Sequence, residues 1–564
     1  MRRTTGLILF FILLSLACWT VIPATPTPLP SQTTTPTATR ILTNQLPTPS
    51  ATPTPEIPQF EIRAHPDDGL YVGDIVSLEV VVPDDLNLEG QKLQVQVGDD
   101  FLGAAEFSEF GIGNRYQATL PWMWNTTGFE AGAYALDFSL NPTGITWAYT
   151  LTLQAEAQLP WPEPLAQWAN QETDCCLIYY ITHTAVERDL KQLLDLTDAQ
   201  ADHAMNMLNV AFTEPIEITL VPRVVGQGGF ARGDIYISYL DRNYIGNNFE
   251  TVLHHEMIHI LDGELADSWR PAILVEGLAV YLTGGHYKIG PLLPQAAALL
   301  PPTNGEPGLD WYLPLNTLSD DFYLSQHEIG YIQASALVAF MVNTWGWEAF
   351  SDFYWNLVLE PGETQSQALD AGLRMNFGIT LSQLEEQFIS ALKQETVTEN
   401  LYNDVRLMVE IYEAARRYQQ ILDPSAYFLS AWLPDGREMR QRKILADLLR
   451  HPSKPENVAL ETLLVSANQS WQVGDYKTAQ NALDALGAVL DAIEAQDEAP
   501  FSSHPLAWDY FAIANQLGEA GYQVQRIWVG GDSGQAWVTM NNVDLVVVEI
   551  QKNGKNWEIT SNRP

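Results

Sequence analysis

The stretch HHEMIHILDGELADSWRPAILVEGLAVYLTGG, residues 254–285, holds two histidines four apart with a glutamate directly after the first of them. On a helix, positions i and i+4 share a face, so His255 and His259 present both imidazoles to one point. That pair makes a two-nitrogen metal site. Glu256 stands about 100° further round the axis, where it can reach a metal-held water without displacing a ligand. Zinc lowers the pKa of its water towards neutrality, and a neighbouring carboxylate can take that proton and pass it to a leaving amine. Glu256 is the candidate for this work. A catalytic zinc takes three protein ligands and keeps one position open. A histidine six residues after His259 would fall at Leu265, so the third ligand lies elsewhere, and Glu276 is the best candidate.

These side chains need two helices to position them. Asn248 suits the N-cap of a helix through Leu261, with Gly263 as its C-terminal stop. Pro271 fits the first turn of a second helix. The residues between His259 and Glu276 allow a turn, a connection and an antiparallel return. Strand-like runs LIYYIT (177–182), IEITLV (216–221) and DIYISYL (234–240) precede the stretch. Helical runs such as YIQASALVAFMVNTW follow it, so residues 160–396 read as one α+β unit.

HEMIH followed by EGLAVYL resembles the gluzincin clan of metallopeptidases. The closest likeness is to the peptidase MA-like family, whose second motif, Glu-Gly-x-Ala-x-Tyr, corresponds to Glu276, Gly277, Ala279 and Tyr281. The resemblance covers roughly residues 170–396. It implies Zn2+ held by His255, His259 and Glu276, Glu256 as general base, and a peptide or protein substrate. Gluzincins related to the M1 peptidases place an oxyanion-stabilising tyrosine on a later helix, which makes Tyr331, in GYIQASALVAF, either that hydroxyl or a packing residue at a helix start. The segment GGFARGDIYIS (228–238) resembles the clan's edge strand, which pairs with an extended substrate. Two departures matter. Val280 stands where some gluzincins place an aspartate behind a histidine ligand, which leaves Asp262 or Asp267 for that support. The Gly-x-Met-Glu-Asn signature of aminopeptidases is absent, which favours an endopeptidase.

The chain around this unit sets its context. With 564 residues it is too long for one core. Its 69 acidic against 29 basic residues repel phosphate backbones, so no nucleic-acid partner is expected. Arg2 and Arg3 precede an apolar run that ends in Ser-Leu-Ala-Cys at 15–18. Residues 1–23 therefore read as a secretory signal, with Cys18 as a lipidation site, or as an uncleaved anchor. Either gives an exported, cell-surface protein tethered to a membrane at its N-terminus. Residues 24–58, rich in Thr and Pro, read as an extended, disordered linker.

Alternating runs over 59–156 predict an immunoglobulin-like β-sandwich. Residues 400–497 read as helical, with tetratricopeptide-like texture, and 504–564 as a small α+β domain. The expected fold class is thus multidomain: β-sandwich, gluzincin-type α+β unit, helical region, small α+β domain.

The remaining candidates are weaker. Adjacent cysteines rarely meet disulfide geometry, so Cys175 and Cys176 are expected at a buried strand start. His183, His203, His286 and His327 are isolated in sequence and read as satisfied or exposed. His254, one residue off the ligand register, reads as a surface or supporting group pointing away from the metal. Two other functions compete: a catalytically silent surface binding protein on a peptidase-like scaffold, and a hydrolase of another amide, as in a cell wall. Glu256 argues against the silent form, because a structural zinc needs no base.

Overall fold

Alternation dictates the N-terminal region: in KLQVQV every second side chain turns inward. The computed structural model describes residues 60–564, apart from 84–85, 111–114, 226–227, 247, 266–268, 303–304, 306, 325–326, 433–434, 541–543, 555 and 564. The expected signal or anchor with Cys18, the linker, and Asp267 lie outside the described residues. Nine strands come first: β1 (Glu61–His65), β2 (Leu70–Tyr71), β3 (Ile75–Val81), β4 (Lys92–Val97), β5 (Asp100–Glu106), β6 (Ser108–Phe110), β7 (Arg115–Asn125), β8 (Gly132–Asn141) and β9 (Thr146–Gln154). They form two sheets, ordered β1-β3-β7-β6 and β2-β9-β8-β4-β5. Leu78 and Trp124 from the first and Leu93, Phe138 and Leu140 from the second share one core.

A second sheet system begins with β10 (Trp168–Glu172) and β11 (Cys176–Ile181), followed by helix α1 (Ala185–Leu208). Strands β12 (Ile216–Val221), β13 (Gly229–Ala231) and β14 (Ile235–Ser238) complete it, in the order β10-β11-β12-β14-β13. β11, β12 and β14 run parallel, as a helical crossover such as α1 permits, and the two outer strands are antiparallel. Ile178, Ile218, Leu220, Ile235 and Ile237 pack one face against α1 and helix α2 (Phe249–Leu265). The opposite face meets the distant helix Gly436–Arg442, where the Arg440 guanidinium lies 3.6 Å from the Tyr179 ring centroid and pairs with Glu217.

Helices dominate the rest. α3 (Ala272–Thr283), α4 (Leu292–Ala297), α5 (Leu315–Asp320) and α6 (His327–Trp345) lead into further helices as far as Glu519. A closing antiparallel sheet follows, made of β15 (Gln523–Gly530), β16 (Ser533–Thr539), β17 (Val546–Asn553) and β18 (Asn556–Arg563). One apolar core runs through all of this, from Val224 to Trp557. The chain is therefore a multidomain α+β protein: a sheet-rich N-terminal region, then a helical part with further small sheets. No helix among the described residues is long and apolar enough to cross a membrane.

Buried polar contacts join the regions. Arg450 forms ion pairs with Asp74 and Glu163, both at 2.7 Å. Trp122 donates to Asp447, and the His65 ring stacks 4.4 Å from Phe428.

The cysteines correct one expectation. Cys176 does open β11 and is buried, but it is disulfide-bonded to Cys175. Cys175 lies in the bend before the strand, free of the strict alternation that would point neighbouring side chains to opposite faces.

Candidate metal centre

Both motif helices are buried almost all round, as helices at the centre of a large core are. α2 starts as expected: the Asn248 side chain accepts from the Thr251 N–H at 2.8 Å. It ends later than expected. Gly263 lies inside it, and the helix continues to Leu265.

α3 is capped by Pro271 and stops at Gly284, which adopts φ 84°. Gly277 explains the small residue after Glu276. A Cβ there would stand 2.6 Å from the Ala334 carbonyl oxygen of α6, so only glycine permits this close crossing.

The structure brings the three expected ligands together. His259 Nε2 lies 3.0 Å from His255 Nε2 and 3.1 Å from Glu276 Oε2, and His255 Nε2 lies 3.4 Å from the same oxygen. Zinc with bonds of about 2.0–2.1 Å and tetrahedral angles separates its donors by about 3.3 Å. The three atoms therefore fit the face of such a site. Two ring nitrogens and one carboxylate oxygen are also a donor set that suits zinc.

The two imidazoles titrate differently, and a cation binds His259 only by displacing its proton. Burial pushes His255 down to about 4, keeping it a neutral donor. Burial also works to lower His259, but the adjacent Glu276 carboxylate overrides it and lifts the imidazole to about 9. Burial opposes ionisation of Glu276, yet His259 and His255 hold it well below the usual carboxylate range.

Glu256 lies on the same helix, 6 % exposed. Burial pushes its carboxyl up to about 8; His259 opposes this and Glu276 adds to it. Beside Glu256 runs β13, the outermost strand of its sheet. A Cβ on Gly229 of this strand would stand 3.3 Å from Glu256 Oε1 and 2.6 Å from Val252, so glycine makes room for the carboxylate.

Tyr331 joins the centre from α6, its ring centroid 6.2 Å from that of His255. Burial raises its phenol well above the usual range, so it remains a donor.

Several supporting residues differ from expectation. Among the described residues no hydrogen bond joins Asp262 to a histidine ligand. It accepts from Tyr354 Oη at 2.6 Å and Trp355 Nε1 at 2.9 Å and pairs with Arg270, fastening the end of α2 to later helices. Support for the site comes instead from Tyr323, whose hydroxyl donates to Glu276 Oε1 at 2.7 Å. Nothing in the spacing of Tyr323 announces this. His255 Nδ1 is buried without a hydrogen-bond partner among the described residues. His254 is buried rather than exposed, its ring 4.6 Å from that of His203.

His286 and His327 are not isolated. Both offer Nδ1 to Glu328 Oε1, at 3.1 and 2.8 Å. The His286 ring stacks on Tyr331 at 4.1 Å and lies 5.6 Å from His255. One signal was available in the sequence: His327 and Tyr331 are four apart on α6, the same-face spacing that pairs His255 with His259.

No protein-family model matches the chain, and no curated protein does.

Proposed function

We propose that His255, His259 and Glu276 hold a zinc ion, and that the centre hydrolyses peptide bonds as a metalloendopeptidase of gluzincin type. The convergence of three buried donor atoms within 3.0–3.4 Å, with Glu256 on the same helix, carries this reading. When bound, zinc supplies Lewis-acid polarisation of a carbonyl and eases ionisation of water. Glu256 takes a proton from the attacking water and returns it to the leaving amine. Tyr331 donates a hydrogen bond to the oxygen that becomes negative. Tyr323 fixes the Glu276 carboxylate through the oxygen that faces away from the histidines.

The substrate in this reading is an extended peptide added along the outer edge of β13, next to Glu256. The N-terminal two-sheet region, in this reading immunoglobulin-like, holds the centre away from a membrane to which residues 1–23 tether an exported chain. The Cys175–Cys176 disulfide supports export, since disulfides persist in oxidising compartments.

Cleavage of a quenched-peptide library by the full chain tests the proposal. Glu256→Gln is expected to lower turnover by about 100- to 10,000-fold without loss of metal. His259→Ala is expected to lose turnover together with one equivalent of zinc. Turnover that survives Glu256→Gln, or undiminished zinc in His259→Ala, rejects it.

A further inference from the structure

Glu328 lies on the first turn of α6 with its side chain fully buried. Its partners are two imidazoles: His286 Nδ1 at 3.1 Å from Oε1 and 3.2 Å from Oε2, and His327 Nδ1 at 2.8 Å from Oε1. Each of the three side chains offers one donor atom, and these lie within 4.8 Å of one another. They come from two segments, the turn after α3 and the start of α6.

No Lys or Arg pairs with Glu328 among the described residues, although this chain gives such a partner to most of its buried carboxylates. Asp74 and Glu163 have Arg450, Glu79 has Arg115, Asp423 has Arg223, Glu461 has Arg242 and Asp404 has Lys288. A buried carboxylate without a counter-charge is unfavourable by several kcal/mol. Glu328 shares its imidazole-only cationic surroundings with Glu276.

We propose that His286, His327 and Glu328 form a second site for a divalent cation of the zinc class, separate from the ligands of the first. Two imidazoles, each 2.8–3.2 Å from the carboxylate they share, repeat the donor types of the first site. Aromatic rings enclose the second one. His286 packs on Tyr331 and Tyr287, and His327 on Tyr412 and Tyr331, with centroids 4.1–4.7 Å apart. This enclosure assigns the cation a structural role. It neutralises Glu328 and ties the turn after α3 to α6. Tyr331, one helical turn beyond His327, is thereby fixed beside the first site.

Zinc content of the full chain, measured by mass spectrometry after gel filtration, tests this independently of the catalytic reading. About two equivalents are expected in the wild type and about one in His259→Ala, where the remaining ion belongs to the second site. Adding His286→Gln to His259→Ala is expected to remove that ion, and His327→Ala to do the same should His286→Gln fold poorly. Cobalt(II) in His259→Ala should give a visible absorption band that His327→Ala abolishes. One equivalent in the wild type and none in His259→Ala overturns the second site, leaving a hydrogen-bonded triad, while the first stands. Undiminished zinc in His259→Ala with loss in His286→Gln rejects the first site and keeps the second.

Discussion

Glu79 in the N-terminal sheets and Glu276 in the metal centre are both buried carboxylates next to histidine, yet their surroundings differ. Glu79 meets His65 at 2.9 Å, but also the Arg115 guanidinium at 2.7 Å and the Gln117 amide at 2.7 Å. Burial opposes its ionisation, and His65 and Arg115 together hold its pKa below the ordinary value. Glu276 meets two imidazoles and one phenol. A permanent cation closes the first arrangement. The second has no Lys or Arg partner among the described residues. In the proposed reading, guanidinium or ammonium partners mark carboxylates such as Glu79 that need no added ion, and imidazole partners mark those that would hold one.

The largest test of this contrast is stability with and without a chelator. Saturating zinc is expected to stabilise the wild type by at least about 4 kcal/mol at a thousand-fold excess over Kd. Chelation should lower the melting temperature accordingly. In Glu276→Gln the chelator's effect should shrink. In Glu79→Ala it should keep its full size, on a protein already weakened by about 3–5 kcal/mol because His65 and Arg115 lose their partner. Equal chelator responses in the two variants would break the comparison.

Asp447 sharpens it, because this buried acid has a hydrogen bond from Trp122 and, among the described residues, no ion pair. Burial raises its pKa from 3.8 to about 6. A carboxyl whose folded pKa is raised binds its proton more tightly in the native state. Its contribution is therefore complete below about pH 4 and is lost as pH rises through about 6. That loss is on the order of 2–3 kcal/mol. Asp447→Asn should flatten the stability profile between pH 4 and 7 in chemical denaturation. An unchanged slope would show that Asp447 ionises freely.

The smallest effect separates helix formation from ion binding. Asn248→Ala removes the N-cap of α2 and should cost about 1 kcal/mol, read as a shift in denaturation midpoint. Zinc content should stay at its wild-type value. A variant that loses metal would mean that the start of α2, two turns before His255, controls ligand geometry.

Much of the centre was legible because its ligands follow local rules. His255 and His259 obey the i, i+4 spacing and Asn248 marks the helix start, whereas the close crossing at Gly277 shows only in the packing of α3 on α6. Alternation made the N-terminal strands readable in the same way. Adjacent cysteines rarely meet disulfide geometry, yet Cys175 and Cys176 are bonded, with Cys175 in the bend before β11. Asp262 takes hydrogen bonds from Tyr354 and Trp355, at |i−j| of 92 and 93, partners that no local spacing marks.

The sequence alone determined the chemistry on offer: two imidazoles on one helical face, a carboxylate beside them, a second carboxylate on the next helix. Helical periodicity fixes such local directions before any tertiary contact forms. The tertiary structure decided which distant groups share that site. Only packing of α3 against α6 sets Tyr331 and the His286–His327–Glu328 cluster beside His255, and only the turn Phe322–Leu324 delivers Tyr323 to Glu276. Periodicity carries no information about which elements become neighbours, because that depends on how the whole apolar core closes.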